Sequence, residues 1–178
     1  MPAGRFFEDF TVGDQYRHSV GRTITESDNV WFTLLTNNTQ QLHFNREYAA
    51  RTEFGRPLVV STLTLAIVTG LSVDDVSLHA VANLGWDRVR LTKPVFIGDT
   101  LYAESEVLEA RASQSRPGSG IIRVHTRGLN QTGDAVIDFE RAVLVYRQSA
   151  APERHAGQSS RIHTVVDPIS TSPIALEP

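Results

Sequence analysis

Cysteine is absent from all 178 residues. Its absence excludes a disulfide framework, a thiolate metal site and a cysteine nucleophile, and it is compatible with a reducing compartment. A long apolar run is missing as well: the longest stretch, Leu58 to Leu71, is interrupted by Ser61, Thr62, Thr64 and Thr69 and is too short to cross a bilayer. Blocks of like charge are also lacking. Lysine and arginine number 17 against 20 acidic residues, a net charge of −3, which argues against nucleic acid as a partner. The amino terminus carries Glu8 and Asp9 where a signal peptide would need its apolar core. The expectation is a soluble, cytoplasmic protein that neither spans a membrane nor binds nucleic acid. His18, His79 and His125 fall on strand or loop patterns without ligand spacing, and His155 and His163 lie near the C-terminus, so no metal site is expected.

The length suits one domain with a continuous core. Residues 1–148 read as that domain. From Ser149 onward serine, proline, alanine and charge dominate, so residues 149–178 read as a tail. Within the domain, a strand is expected from Tyr16 to Val20. Thr25 followed by Glu26, Ser27 and Asp28 has the form of a capping box, and Val30/Leu34 with Trp31/Leu35 repeat at helical spacing, giving a helix with one apolar face. A short helical turn is expected from Arg46 to Arg51. A second helix, about Ser61 to Leu71, is apolar nearly all round and should be buried on most sides. Ala80 to Leu91 reads as a strand whose apolar phase shifts near Asp87, as at a bulge. Leu101 to Leu108, Ile122 to Arg127 and Ala135 to Tyr146 alternate as strands, the last two joined by a turn at Gln131 to Asp134. Helices followed by a run of antiparallel strands give an α+β arrangement, with the sheet wrapped around a long central helix.

Chemistry concentrates between the two helices. Thr36-Asn37-Asn38-Thr39-Gln40-Gln41-Leu42-His43 places amides and one histidine on a short connection, just before an apolar helix that opens with Ser61 and Thr62. A loop histidine supported by amides can move a proton. The N–H groups at the start of a buried helix can hold negative charge on an acyl oxygen.

From about Phe7 to Arg147 the chain resembles the MaoC-like dehydratases, which include the R-specific enoyl-CoA hydratases and adopt the hot-dog fold. Leu42-His43 stands where that family has an apolar residue and its histidine. Arg56-Pro57-Leu58-Val59 fits the following element, and Lys93-Pro94-Val95-Phe96-Ile97-Gly98-Asp99 fits its later Pro-Val-Phe-x-Gly-Asp motif closely. The family's catalytic aspartate falls five residues before the histidine, where this chain has Asn38. Gln40 and Gln41 replace the asparagine and proline of the signature, and Val60-Ser61 replaces the His-Gly pair that opens the central helix.

The resemblance implies an acyl-CoA thioester substrate, with CoA part of the substrate and no separate cofactor, and a hydro-lyase reaction across its α,β double bond. It makes His43 the proton-transferring residue, with Asn38 orienting water or the ring. It puts the thioester oxygen near the N–H groups of Ser61 and Thr62, and Thr69 aligns with a serine that lines the family's pocket. It also implies a homodimer or higher homo-oligomer, because a single hot-dog unit leaves a sheet edge and part of its pocket open. Gln40, Gln41 and their amide neighbours point to a short branched or dicarboxylic acyl group of the mesaconyl-CoA or itaconyl-CoA type, since a plain hydrocarbon tail has little use for such groups. Arg88, Arg90 and Lys93 could meet CoA phosphates or be solvated strand-face charge.

A neutral amide cannot take up a proton at physiological pH. Two readings therefore stay open: His43 acts as the only proton-transferring side chain, or catalysis has been lost and an acyl-CoA binding protein remains. A hot-dog acyl-CoA thioesterase is the less favoured alternative, because Ser61 to Leu71 contains neither aspartate nor glutamate to activate water.

Overall fold

The computed structural model describes residues 4–152. Of the expected tail, only the positions up to 152 fall among these, with a 3₁₀ turn at Gln148–Ala150; the rest of the tail, including His155 and His163, lies outside the described residues.

The strands β1 (Gln15–Arg17), β2 (Arg22–Thr23), β3 (Ala80–Leu91), β4 (Thr100–Ala112), β5 (Ser119–Leu129) and β6 (Ala135–Tyr146) form an antiparallel sheet in the order β1-β4-β5-β6-β3, with β2 also pairing with β4. The helices α1 (Glu26–Leu35), α2 (Arg46–Ala49) and α3 (Ser61–Leu71) all come between β2 and β3. Tight hairpins explain the β4-β5-β6 order. At the β5–β6 turn, Gly133 takes φ +81 while Asn130 and Asp134 close the loop through backbone bonds. The expected irregularity of β3 is present as a register shift between Asp87 and Arg90, with Arg88 at φ +53. The strand expected from Tyr16 to Val20 is shorter and earlier, ending at Arg17, and Val20 is exposed.

Alternation along the three central strands sends one set of side chains toward α3. Two apolar clusters result. The first gathers Ile24, Val59, Val60, Leu63, Val68, Leu101, Ala103, Ile137 and Phe139. The second gathers Phe10, Val76, Val107, Ile122, Val124, Val143 and Val145. Between them each strand contributes a buried polar residue: Ser105 on β4, Thr126 on β5 and Arg141 on β6. Ser105 joins Thr126 at 2.9 Å and the buried His18 Nε2 at 2.9 Å, and His18 Nδ1 meets Asp75 at 2.8 Å. Arg141 donates to Ser72 Oγ at 3.1 Å and Ser77 Oγ at 3.3 Å, and burial lowers its pKa to about 10.

Two expectations about the helices are corrected. In α1 the capping box is present: Thr25 accepts from Asp28 N, and the Asp28 carboxylate accepts from Thr25 N at 2.7 Å. Most of the expected apolar face, however, is turned outward, with Trp31, Leu34 and Leu35 exposed by 65%, 62% and 76% and only Val30 half-buried. Asn29 and Thr33 are buried instead: Asn29 supplies hydrogen bonds to the adjoining loop, and the Thr33 hydroxyl bonds back to Asn29 O within the helix. In α3 only Leu63, Thr64 and Val68 are buried, while Ser61, Thr62, Ala66 and Gly70 are exposed. One sheet covers one side of a helix, so the other side stays open in a single chain. Among the described residues no helix is long and apolar enough to cross a membrane.

Candidate functional site

Helix α1 ends in a Schellman motif: Asn37 takes the left-handed conformation at φ +52, Asn37 N donates to Leu34 O at 3.2 Å and Asn38 N to Thr33 O at 3.0 Å. Asparagine tolerates that conformation better than most residues with a side chain. The chain then tightens into a 3₁₀ turn at Gln41–His43, closed by His43 N to Gln40 O, and continues into α2, which Asn45 caps by accepting from Tyr48 N. Asn38 Oδ1 accepts from Gln40 N at 3.0 Å, while Asn38 Nδ2 has no partner among the described residues. Gln41 Oε1 accepts from Asn45 Nδ2 at 2.6 Å, and Gln40 Oε1 faces Leu42 N at 3.5 Å. The loop amides therefore shape their own backbone first.

His43 is half-buried, and its Nδ1 lies 2.9 Å from Leu58 O. A carbonyl can only accept, so Nδ1 carries a proton, and the tautomer with the lone pair on Nε2 is the one this contact favours. Leu58 N in turn donates to Leu42 O, tying the histidine loop to the segment that leads into α3. From there Val59 N donates to Val95 O, within the Lys93–Asp99 motif, where Gly98 takes φ +95 and Asp99 Oδ2 accepts from Phe96 N.

Helix α3 begins with Val60 at the N-cap position and no capping side chain. The N–H groups of Ser61, Thr62 and Leu63 come before the first N–H that finds an acceptor inside the helix, Thr64 N on Val60 O, so the helix start is a set of donors without intrahelical acceptors. A hollow of about 240 Å³ adjoins it, lined by Leu58, Val59, Ser61, Thr64, Pro94 and Val95 among others. Arg56 stacks on Phe96 at its flank, 3.9 Å from the ring centroid. Thr69 lies two turns further along, about 12 Å down the axis from Ser61. Its Oγ1 is buried without a hydrogen-bond partner among the described residues. A larger hollow, about 380 Å³, lies on β1, β4 and β5 and holds none of the expected site residues. Lys93 pairs with Asp134 at 2.6 Å and Arg88 with Glu140 at 2.6 Å. Among the described residues no group of three histidine or acidic side chains could hold a metal ion.

The structure thus brings Asn38, Gln40, Gln41 and His43 onto one loop and ties that loop to the start of α3. Sequence reasoning missed Asn29. Its Nδ2 donates to His43 O at 2.8 Å and to Leu58 O at 3.2 Å, and its Oδ1 accepts from Val60 N at 2.9 Å. An asparagine inside a helix, a poor helix former with Thr33 four residues later, was the available signal.

The family model described as MaoC like domain matches residues 8–127. The chain is 41% identical over 151 residues to the mesaconyl-CoA hydratase of Cereibacter sphaeroides, covering 84% of this chain and 44% of that protein. It is 37% identical over 154 residues to the beta-methylmalyl-CoA dehydratase of Chloroflexus aurantiacus, covering 84% of this chain and 43% of that one. The chain therefore spans about half the length of the curated relatives it matches. Among solved structures, the MaoC-like dehydratase from Rhodospirillum rubrum superposes with a TM-score of 0.70 at 28% identity, covering 82% of this chain and 99% of that one. The histidine loop, the uncapped helix and the antiparallel sheet all lie within or beside the matched span, and the chain belongs to the MaoC-like dehydratase family, with the hot-dog fold.

Proposed function

We propose that this chain is an acyl-CoA hydratase, adding or removing water across the α,β double bond of a short branched or dicarboxylic enoyl-CoA of the mesaconyl type. One observation carries the chemistry: His43 is held with Nδ1 protonated on Leu58 O, beside a helix whose first N–H groups are uncapped. In hydration, the water oxygen bonds to the β-carbon while Nε2 of His43 takes a water proton. The π electrons move onto the thioester oxygen, and the resulting enolate is held by N–H groups of Ser61 and Thr62, each worth about 3 kcal/mol in comparable sites. The imidazolium then returns a proton to the α-carbon, so one molecule of water is added and the ring is regenerated. Asn38 Nδ2, with no protein partner, would donate to the attacking water, and Gln40, Gln41 and Thr69 would contribute polar contacts to the acyl group. CoA enters as part of the substrate, with no separate cofactor.

The substrate assignment is supported by the names of two relatives that are 41% and 37% identical to this chain. Their extra length makes the activity of this chain a matter for direct test. A homodimer, formed across the free edge of β3 and covering the open side of α3, fits the exposure of Leu84, Trp86, Val89 and Leu91. A cytoplasmic location is part of the same reading.

The second reading, an acyl-CoA binding protein without catalysis, is favoured by Asn38 in place of a carboxylate. Incubation with saturated and unsaturated acyl-CoAs, mesaconyl-CoA and crotonyl-CoA included, followed by mass spectrometry, separates the cases. Gain of one water by mesaconyl-CoA is the expected result. Binding with no mass change would establish the second reading, and release of free CoA would establish a thioesterase.

A further inference from the structure

We infer that Asn29 is a positioning residue for the reaction: its buried carboxamide locks the His43 loop to the start of α3 and so sets the ring and the N–H donors in register. The inference rests on the reading of His43 as the proton-transfer group.

Asn29 is fully buried in the middle of α1, while Trp31, Leu34 and Leu35 of the same helix face outward. Burying a carboxamide costs free energy unless its bonds are made. Here they are made to particular groups. Two partners, His43 O and Leu58 O, can only accept, and the third, Val60 N, can only donate, so the orientation of the amide admits no flip. Each bond touches the proposed machinery. His43 O belongs to the residue that moves the proton. Leu58 O is shared, receiving Asn29 Nδ2 at 3.2 Å and His43 Nδ1 at 2.9 Å. Val60 is the N-cap residue of α3, and Asn29 occupies its N–H, leaving those that follow, beginning with Ser61, as the free donors.

A carboxamide of this shape meets the demand that no apolar side chain could. It joins a carbonyl on the histidine loop to a carbonyl and an N–H on the helix entry; without it His43 O and Val60 N would lose this partner, and Leu58 O would keep only the His43 ring. Thr33, one turn later, bonds back to Asn29 O at 2.6 Å, and its own carbonyl receives Asn38 N. The buried edge of α1 therefore anchors both ends of the amide loop. Loss of this anchor would let the Leu58 carbonyl turn, and with it the preference for a proton on Nδ1. A displacement of about 1 Å in such a site can cost about 100-fold in rate.

The test uses the full chain with mesaconyl-CoA and three variants, Asn29→Ala, Asn29→Asp and His43→Gln, with circular dichroism to verify the fold. Nitrogen NMR of the imidazoles, with His43 assigned by comparison with His43→Gln, reads the tautomer directly. In the unsubstituted protein His43 is expected with its proton on Nδ1; a proton on Nε2 overturns the inference without any variant. Asn29→Asp keeps the acceptor for Val60 N and removes both donors, so it should mix the tautomers and lower kcat about 10- to 100-fold with KM changed less than threefold. Asn29→Ala should do at least as much, and neither substitution, when combined with His43→Gln in a double variant, should lower the residual rate of His43→Gln further. Full kcat with an unchanged tautomer in either folded variant overturns the inference while leaving the role of His43 intact. Full activity in His43→Gln instead overturns the reading on which it rests.

Discussion

Asn38 Oδ1 accepts the backbone N–H of Gln40 at 3.0 Å, so the residue that stands where the resemblance puts the family's aspartate is bound to its own loop, with Nδ2 unpartnered among the described residues. A carboxamide in that position can hold water but cannot accept its proton. On the proposed reading His43 is then the proton carrier. Asn38→Ala should therefore lower kcat about tenfold, the equivalent of one ordinary hydrogen bond. His43→Ala should lower it by about 10² to 10⁴. Steady-state rates with mesaconyl-CoA check both, and equal losses would give Asn38 a larger part than one hydrogen bond.

The donor at the start of α3 can be removed without touching a side chain that packs. Proline is favoured in the first turn of a helix, and Val60 already has the extended conformation, φ −59 and ψ 130, that a following proline prefers. Ser61→Pro should fold with an unchanged melting temperature and lose about 10²- to 10³-fold in kcat, as when one oxyanion donor is deleted elsewhere. Ser61→Ala retains the N–H and should remain close to full activity. Activity of Ser61→Pro equal to that of Ser61→Ala would move the oxyanion to another donor.

The acid side of the stability curve should carry the mark of Asp75. Burial raises its pKa, but the hydrogen bonds and charges of His18 and Arg5 outweigh that and hold the carboxyl below its ordinary value. A carboxyl depressed in the folded state contributes stability that is present above its unfolded pKa, about 3.9, and lost as pH falls through the folded value. Asp75→Asn should thus shift the urea midpoint near pH 6 downward and flatten its decline below about pH 4. An unchanged decline in that range would remove Asp75 from the account.

On the free edge of β3, Trp86 and Leu84 are exposed by 42% and 51%. If a second copy covers this edge, Trp86→Glu should convert a dimer into a monomer in sedimentation experiments and lower activity together with the association. A monomeric protein with full activity before any substitution would end the dimer proposal.

Much of this architecture was legible. The Thr25-Glu26-Ser27-Asp28 cap, the alternating strands, the irregularity of β3 beyond Asp87 and the placement of His43 just ahead of α3 all follow from local chemistry, because turns, caps and alternation are decided within a few residues. The inner face of α1 was not legible. Periodicity counts apolar side chains, and on that count Val30, Trp31, Leu34 and Leu35 belong inside. What turned the helix over was a set of backbone groups at His43, Leu58 and Val60, separated from Asn29 by up to thirty-one positions, whose need for partners no local pattern reveals. The exposed side of α3 was missed for a related reason. An all-apolar helix states that it will be covered, not whether its own chain supplies the cover.

The row of Ser105, Thr126 and Arg141 across the sheet gives the interior a seam. On one side stand the His43 loop and the front of α3; on the other, the second apolar cluster beneath Phe10 and Val76. Oily surfaces divided by a hydrogen-bonded strip need not melt together, so amides around Phe10 and Val76 should exchange with deuterium through openings that leave the front of α3 protected. The end around Phe10 and Val76 can then breathe while the end that holds the front of α3 keeps its shape.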